Sequence, residues 1–577
     1  MGTIPCLRGT ELERRVFIAL FLSFLVFFTY QAIFPSKPTP KPGATPAAKT
    51  AAVNPEGSAQ GATVPAEPTA APGVATLVGE QAERTVTLET PHVIAVFTNR
   101  GGRLKSWKLK EYLDRSGRPL ELIDQTIAGT GAHPLPFSLA LPDPTVSSVL
   151  NQALYAVRTS GEGQVTFDLQ TEAGLKASKS FALDPQSYTF SVTAQVSVNG
   201  ADANPVIQWG PGLGDTDSQT GRYAVKPEAL FATQGRKPER LNASKIGSTP
   251  NYEDSFDYAG IDDHYFAAFA LKPGRSKLTY QAVQVPPPSN TKEAVRDLMA
   301  FAIQPASPGQ TLTFYVGPKE FDTLASIDRN LVKAINFGMF DWIVVPLLRS
   351  LNWIHGYVGN YGWAIFILTL LINLVLFPLN HKSVVSMRKM QEIQPEAKAI
   401  QERYAKYKST DPARQNMNQE LMALYRENGV NPATGCIPIL LTLPVFLAFY
   451  ALLTTAIELR GAPFIGWIHD LSLPDPYYVM PVLVGASQVI QQWLTPQAGV
   501  DPAQQKMMMI MPVVLIFVFV STPAGALIYW LVGNVWRIIQ MQLTNFIHPP
   551  KLHVVRPAAE RRVKRVGGSR TDDAREN

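Results

Sequence analysis

Polar side chains recur at helical spacing inside three apolar runs in the C-terminal half of the sequence. Thr369 and Asn373 lie four residues apart in the first run, and Trp530, Asn534 and Arg537 follow one stripe of the last run. The middle run carries Gln488, Gln491, Gln492 and Thr495. Polar groups cost free energy in lipid, so such stripes usually face a protein interior or a water-filled cavity. The spacing predicts a wet cavity between apolar helices.

Arg537 is the charged side chain on these stripes. Counting back from His548 at about 1.5 Å per residue places it about 16 Å inside that end of its helix. An arginine at the centre of a membrane helix costs about 2.5–3.5 kcal/mol, so we expect it to point into a hydrated pocket. The predicted spans contain no acidic residue to pair with it. The alternative is that the long side chain snorkels toward the cytoplasmic headgroups.

Two clusters in the N-terminal half were candidates for catalysis or ligand binding. Asp262, Asp263 and His264 place acid and base groups side by side, and Trp209-Gly210-Pro211-Gly212 has the residue types of a sugar or peptide cleft. Neither has a spacing typical of a catalytic site, which favours a structural role. The sequence also lacks a Walker loop, a metal-ligand cluster, a nucleophile elbow and a dinucleotide fingerprint. We therefore predict no catalytic residue, no metal and no cofactor.

The elements that position these residues follow from composition and periodicity. The 577 residues carry a net charge of +6, and the basic residues flank apolar runs, which suits anionic lipid or RNA-rich partners. With only Cys6 and Cys436, no disulfide framework is available. The first apolar run, 16–34, follows Arg14 and Arg15 and is long enough to cross a bilayer. It ends without a small-residue cleavage site, so we favour an uncleaved anchor over a signal peptide.

A soluble domain separates the anchor from the other apolar runs. Residues 35–79 are rich in Pro and Ala and predict a flexible tether. Residues 80–320 alternate apolar and polar side chains with period two, which predicts an antiparallel β-sandwich. Residues 321–357 return to helical spacing, and Trp342, Trp353 and Tyr357 are aromatic residues typical of a headgroup boundary. We expect an interfacial amphipathic helix there.

The remaining apolar runs predict five further spans, so the fold class is a polytopic α-helical membrane protein of six spans with a periplasmic β-sandwich. The predicted segments are spans 358–379, 434–457, 477–495, 507–522 and 525–546, with a periplasmic loop 458–476 and a cytoplasmic loop 496–506. Lys and Arg crowd the segment 380–433 and the tail 547–577, whereas 458–476 has only Arg460. The positive-inside rule therefore places the N-terminus 1–15, the segment 380–433 and the tail 547–577 in the cytoplasm.

The segment 380–433 mixes charged residues with apolar ones at helical spacing, and Pro412 marks its bend, so it predicts a helical hairpin. Its methionines are Met387, Met390, Met417 and Met422. Methionine is flexible and polarisable, so the hairpin suits varied apolar partners, unless its methionines pack on each other. The following span is kinked by Pro438 and Pro444, which either indicates a nearby cavity or is an ordinary proline kink.

Several motifs together resemble the YidC membrane protein insertases of Gram-negative bacteria over nearly the whole chain. They are Trp353-Ile-His-Gly-Tyr-Val-Gly-Asn-Tyr-Gly362, Phe377-Pro-Leu, Met422-Ala-Leu-Tyr, Val430-Asn-Pro, Gly435-Cys-Ile-Pro, Leu443-Pro-Val-Phe-Leu, Glu458-Leu-Arg, Trp467-Ile-His-Asp-Leu and Asp475-Pro-Tyr-Tyr. The resemblance implies a five-span core with a groove open to cytoplasm and lipid, a cytoplasmic hairpin and a periplasmic β-sandwich. It also implies insertion both alone and beside the Sec translocon.

One position departs from the family pattern. The family usually has a groove arginine where this sequence has Asn373, four residues before Phe377-Pro378. Our hypothesis is that Arg537 supplies the charge from the opposite wall, on the same stripe as Trp530, which matches a groove-facing aromatic of the family.

We therefore interpret the chain as an insertase and chaperone for nascent membrane proteins in the bilayer, with no nucleotide and no DNA partner. The basic tail with Arg561, Arg562, Lys564 and Arg565 suits the ribosome or anionic lipid, or it is a plain topology signal. A secondary transporter is a rival, although paired repeats and intramembrane acids are missing from the sequence. A membrane-anchored carbohydrate-binding or mutarotase-like protein is the other rival, with its site in the sandwich.

Overall fold

The computed structural model describes residues 76–114, 116–128, 133–159, 161, 163–213, 225–246, 250–285, 295–404, 407, 412–429, 437–494 and 502–547. The predicted N-terminus 1–15, the anchor 16–34, residues 35–75 of the tether and the tail from residue 548 lie outside these described residues. Thr495 and residues 496–501 of the predicted cytoplasmic loop also lie outside them.

The strand-rich part folds into two antiparallel sheets, which confirms the interpretation of the period-two pattern. The strands are β1 Thr76–Val78, β2 Thr85–Glu89, β3 Val93–Thr98, β4 Arg103–Leu113, β5 Pro119–Glu121, β6 Ser138–Ala140, β7 Ala156–Thr159, β8 Gln164–Thr171, β9 Leu175–Leu183, β10 Thr189–Val198, β11 Ala201–Ala203, β12 Val206–Trp209, β13 Glu228–Thr233, β14 Glu239–Leu241, β15 Asn251–Asp262, β16 Phe266–Val285, β17 Arg296–Gln304 and β18 Thr311–Pro318. Short helices α1 Gln125–Ala128, α2 Pro144–Gln152 and α3 Ala243–Ile246 lie between them.

The larger sheet follows the order β1-β8-β9-β10-β18-β16-β15-β13-β14, with β6, β7, β11, β12 and β17 also paired into it, and β2-β3-β4-β5 form the smaller sheet. β1 begins within the segment 35–79 whose composition predicts a tether. It pairs with β8 through Thr76–Thr171 and Val78–Gln170. Edge pairing supplies backbone hydrogen bonds that composition does not reveal.

Aromatic side chains fill the space between the two sheets. Trp107 of β4 is fully buried and donates from Nε1 to the carbonyl of Val316 on β18 at 3.0 Å. Its ring lies 4.7 Å from that of Phe190 on β10, measured between centroids. Aromatic rings bury a large apolar area, so these contacts hold the smaller sheet on the larger one.

The sequence predicts a single helix over 321–357, but in the structure this segment is divided into four pieces. They are α4 Phe321–Ile327, the 3₁₀ turns Leu331–Ala334 and Gly338–Phe340, and α5 Asp341–Val358. Gly338 has a φ of +75°, in the left-handed region where a regular helix is interrupted. α5 is amphipathic, with Val344, Leu348, Leu351 and Ile354 buried and Trp342, Trp353 and Tyr357 exposed.

The membrane part consists of α6 Tyr361–Glu392, α7 Gln394–Arg403, α8 Pro412–Glu427, α9 Ile437–Thr455, α10 Val479–Leu494, α11 Pro502–Phe519 and α12 Ala524–Ile547. Among the described helices, α6 alone is long and apolar enough to cross a bilayer by itself, and shorter apolar stretches occupy Leu443–Thr455 and Ile510–Phe519. The count of six spans stays a prediction.

α6 extends well beyond the predicted span 358–379. Pro378 lies inside it without ending it. The helix stops at Glu392, because Pro395, in the first turn of α7, has no N–H for the Gln391 carbonyl and cannot continue the same helix. Its 32 residues reach about 48 Å, against about 30 Å for a hydrocarbon core. Residues 380–392, assigned from the sequence to the hairpin, therefore continue α6, and the hairpin itself consists of α7 and α8.

Candidate functional site

α6 and α12 pack directly against each other and run in the same direction. Gln540 Nε2 donates to the carbonyl of Phe377 at 3.4 Å, and one turn further along His381 Nδ1 lies 3.2 Å from Thr544 Oγ1. Both pairs are 163 residues apart in the chain, which fixes the register of the two helices. In this register Arg537 is level with Leu374, about 1.5 Å in depth from Asn373.

Arg537 therefore lies on the helix adjacent to Asn373, and not across a groove from it. Its side chain is exposed, and within the described residues it has neither an ion pair nor a hydrogen bond. Thr369 and Asn373 are instead buried and bonded along their own helix. Thr369 Oγ1 donates to Ile365 O at 2.6 Å, and Asn373 Nδ2 donates to Thr369 O at 2.8 Å. Of the predicted stripes on α6 and α12, only that of α12 presents a charge at this depth.

A polar seam joins α10 to α12. Asn534 is fully buried, and its Nδ2 donates to Ser487 Oγ at 2.9 Å. Gln488 and Gln491 lie half-buried on the same part of α10. In the described part of the chain Gln488 Oε1, Asn534 Oδ1 and Trp536 Nε1 are buried without a partner. An unsatisfied buried polar atom costs about 1–3 kcal/mol, so this seam suits water or another polar group.

Trp530 lies in an aromatic cluster that joins three helices. Its ring is 4.8 Å from Phe446 of α9 and 4.6 Å from Phe519 of α11, between centroids. The neighbouring Tyr529 stacks on Phe449 at 4.3 Å. These partners and Ser487 carry no distinctive signal in the sequence, because apolar aromatics and a lone serine on a span do not differ in pattern from ordinary packing residues.

The four hairpin methionines have different environments. Met387 and Met390 are half-buried on the extension of α6, and Met422 is exposed on α8. Met417 packs on the small core that joins α7 to α8, formed by Ala397, Ile400 and Leu421. Glu420 fastens the two helices, since it accepts from Arg403 at 3.1 Å and from the Tyr404 hydroxyl at 2.8 Å. Met422 is the most exposed of the four methionines.

Asp262, Asp263 and His264 lie where the sandwich meets the membrane helices. Asp262 Oδ2 accepts from Lys319 Nζ and from Arg240, each at 2.7 Å. Asp263 Oδ1 accepts from the backbone amides that follow it in the turn. His264 Nε2 lies 2.7 Å from the carbonyl of Thr454, at the end of α9. All three side chains are thus used in structural contacts.

The other sandwich candidate is part of the core. Trp209 is buried, stacks on Phe301, and donates from Nε1 to Gly212 O at 3.4 Å. Among the described residues, no three His, Cys, Asp or Glu side chains are grouped to hold a metal ion.

Glu458 forms a second contact at the junction between sandwich and helices. It follows α9 in a 3₁₀ turn, and its Oε1 accepts from the Phe321 amide at 3.4 Å. Burial, with the nearby carboxylates of Glu320 and Asp322, raises the pKa of Glu458 to about 7. Arg460 lies over the rings of Tyr265 and Phe266, 5.9 and 5.3 Å from their centroids.

Two protein-family models cover most of the chain. The model described as 60Kd inner membrane protein matches residues 353–551, and the model described as YidC periplasmic domain matches residues 85–350. The membrane protein insertase YidC of Geobacter metallireducens is 33% identical over 552 residues, which is 92% of this chain and 98% of that protein. That of Citrifermentans bemidjiense is 34% identical over 565 residues, 92% of this chain and 99% of that protein.

Solved structures resemble the chain more distantly. A crystal structure of an active YidC insertase with its first transmembrane domain resolved is 19% identical, covers 82% of this chain and 95% of its own, and has a TM-score of 0.35. A putative aldose 1-epimerase from Escherichia coli K12 is 10% identical, with coverage of 41% and 99% and a TM-score of 0.24.

Proposed function

The chain belongs to the YidC family of membrane protein insertases, and on this basis we propose that α6, α10 and α12 form its insertion groove, with Arg537 as the groove cation. It is an insertase of the inner membrane that acts on nascent membrane proteins, and it is not an enzyme. The proposed groove residues are Thr369, Asn373, Gln488, Gln491, Trp530, Asn534 and Arg537.

The observation that carries the proposal is the depth of Arg537 relative to Asn373. The Gln540–Phe377 and His381–Thr544 contacts put both residues at one level on neighbouring helices. The usual position of the family's groove arginine is occupied here by a neutral side chain, while Arg537 is exposed and unpaired within the described residues. Arg537 lies on the helix next to the family's usual arginine position and at the same depth. It can therefore attract the acidic client groups that an arginine at position 373 would attract.

The groove cation assists insertion by lowering the cost of moving an acidic client end. Moving one aspartate to the bilayer centre costs about 2.5–3.5 kcal/mol. When the aspartate lies about 5 Å from Arg537 and the effective dielectric constant is about 20, their attraction offsets about 3 kcal/mol of this cost. Each large apolar side chain of the client that enters lipid contributes about 1.5–3 kcal/mol more. Insertion of a client with a short acidic end is therefore favourable without a nucleotide.

The client's apolar segment slides along exposed apolar faces beside the groove. These faces comprise Leu371, Leu374 and Val375 on α6, and Val489, Ile490 and Trp493 on α10. A nascent segment first meets the extension of α6 at Met387 and Met390 and the hairpin at Met417 and Met422, of which Met422 is the most exposed. The chain crosses the membrane six times with both termini cytoplasmic, works alone or with the Sec translocon, and meets the ribosome through its basic tail.

A carbohydrate-binding role for the sandwich has less support. One cavity of the sandwich has a volume of about 430 Å³ and lies over β8, β9 and β10. Polar side chains such as Asp168, Lys176 and Gln195 line it, and none of the described residues around it is aromatic. Small-molecule sites are lined mostly by apolar and aromatic side chains.

The test is complementation in cells depleted of their own insertase, with insertion of a short acidic-tailed client as the readout. We compare the parent with Arg537→Ala, Asn373→Arg and the double variant at matched protein levels. Arg537→Ala should slow insertion roughly tenfold or more, since it removes an attraction of about 3 kcal/mol. Asn373→Arg in the same chain should restore it.

A client whose tail has no acidic residue serves as the matched control and should insert equally with and without Arg537. Normal insertion of the acidic client by Arg537→Ala would refute the role of this cation. The groove would then assist insertion through its hydration and shape alone.

A further inference from the structure

A second arginine joins the cytoplasmic ends of the two helices that carry Asn373 and Arg537. Arg388 lies on the extension of α6 and is only 8% exposed. Its Nη1 donates to the carbonyl of Thr544 at 3.0 Å, and its Nη2 donates to that of Met541 at 3.4 Å. Thr544 lies in the last turn of α12, whose carbonyls have no intrahelical N–H partner and form the negative end of the helix dipole. Arg388 thus caps the C-terminus of α12.

His381 binds the same threonine from one side. Thr544 Oγ1 donates its proton to Gln540 O at 2.8 Å, so the short contact from His381 Nδ1, at 3.2 Å, requires the ring nitrogen to donate. Thr544 is 1% exposed and is held by its side chain and its carbonyl together. The three residues Arg388, His381 and Thr544 form a polar latch between α6 and α12.

The latch lies on the cytoplasmic side of the proposed cation. From Arg537 to Thr544 is about 10 Å along α12 at about 1.5 Å per residue. Hydrogen bonds that involve a charged group are about twice as strong as neutral ones, so the latch is the strongest of the polar contacts described between the two helices. Without it, α12 could slide or tilt relative to α6, which would change the depth of Arg537.

We propose that Arg388 and His381 are positioning residues for insertion, which fix the register of α12 on α6 and so hold Arg537 at the depth of Asn373. This inference rests on the proposed groove, and it assigns a role to two side chains outside that groove. Arg388 does not contact the client; it acts through the position of Arg537.

The neighbouring Lys389 provides a matched control, because it is exposed and carries the same charge one residue away. If Arg388 acted only as a topology signal, or by attracting lipid or ribosomal RNA, then Arg388→Ala and Lys389→Ala would have similar effects. If it positions α12, only Arg388→Ala alters the register.

The register is measured in the full-length chain by crosslinking Phe377→Cys to Gln540→Cys with a short bifunctional thiol reagent, after Cys6 and Cys436 are replaced by serine. We expect Arg388→Ala to reduce the crosslinking rate and insertion of the acidic-tailed client by roughly tenfold, and Lys389→Ala to leave both unchanged. Once formed, the crosslink should restore insertion by Arg388→Ala. If that variant does not accumulate, Arg388→Gln and His381→Ala should show smaller losses in the same direction.

Unchanged crosslinking in Arg388→Ala would overturn the latch, as would equal effects of Arg388→Ala and Lys389→Ala, or failure of the crosslink to restore insertion. The proposed groove is tested separately. If Arg537→Ala inserts normally while Arg388→Ala still loses the crosslink, the latch holds the register and the cation assignment is wrong.

Discussion

The junction between the sandwich and the helices should respond to pH through Glu458. Its pKa is raised from 4.5 to about 7, first by burial and then by the nearby carboxylates of Glu320 and Asp322. A raised pKa means that the folded state keeps a proton which the unfolded state has lost. The contribution of Glu458 to stability is therefore fully present below pH 4.5 and is lost as the pH rises through about 7.

The size of this effect follows from the pKa difference. At about 1.36 kcal/mol per pKa unit, the rise from 4.5 to about 7 corresponds to at most about 3 kcal/mol of folding free energy. The phenols of Tyr112 and Tyr361 also face Glu458, and burial raises the pKa of each, so both stay neutral through this range. Burial outweighs the hydrogen bond from the Phe321 amide, which by itself would lower the pKa of Glu458.

The assay is thermal or denaturant unfolding of the full-length protein in detergent or nanodiscs between about pH 5 and pH 8. The parent should lose up to about 3 kcal/mol across this range, and Glu458→Gln should lose much less, because a neutral amide keeps the acceptor for Phe321 without titrating. Glu239→Gln, an exposed carboxylate of the sandwich, is the control and should behave as the parent. A full pH response in Glu458→Gln would refute this account.

Two further predictions concern packing and buried charge. Gly485→Ala should destabilise the α10–α11 contact by about 1–3 kcal/mol, because the new Cβ would lie 2.3 Å from Ile516 Cγ1. Gly533→Ala is the control and should not destabilise the protein, because no atom lies within 4 Å of the new Cβ. Equal melting temperatures for the two variants would contradict this prediction. Lys319→Met should lower the free energy of unfolding by about 3–5 kcal/mol, because buried Asp262 keeps only one of its two ion pairs. Adding Asp262→Leu to this variant should recover much of the lost stability. A free energy of unfolding within about 1 kcal/mol of the parent for Lys319→Met would contradict this prediction.

The sheets and the amphipathic helix α5 were predictable because their signals are local. In β8 and β9 every second side chain is buried, and α5 buries residues at helical spacing while exposing Trp342, Trp353 and Tyr357. When one face of a strand or helix is buried, apolar residues recur in the sequence with the period of that element. The antiparallel pairing then follows from short strands separated by tight turns.

The missed features depend on contacts between residues far apart in the chain. β1 is a strand because the end of β8 extends beyond its pairing with β7, and α6 continues to Glu392 despite its internal proline. Arg388 carries the same charge as Lys389, and only the fold shows that one caps a helix while the other is exposed. The depth of Arg537 was predicted from residue counting, whereas its adjacency to Asn373 required the register of two helices.

The contacts of α12 explain how an unpaired cation can persist within the membrane part. At its start, the amides of Ala524 and Gly525 donate to the carbonyls of Leu473 and Leu471 at 2.8 and 2.9 Å. At its end, Arg388 holds the final carbonyls. A helix fixed at both ends cannot rotate or slide to bring its central polar groups onto new partners, so they stay available to water or to a client. Releasing the C-terminal end of α12 should therefore reduce the availability of Arg537 before it unfolds the protein. A fall in client crosslinking to position 537 without a change in melting temperature would be the result expected.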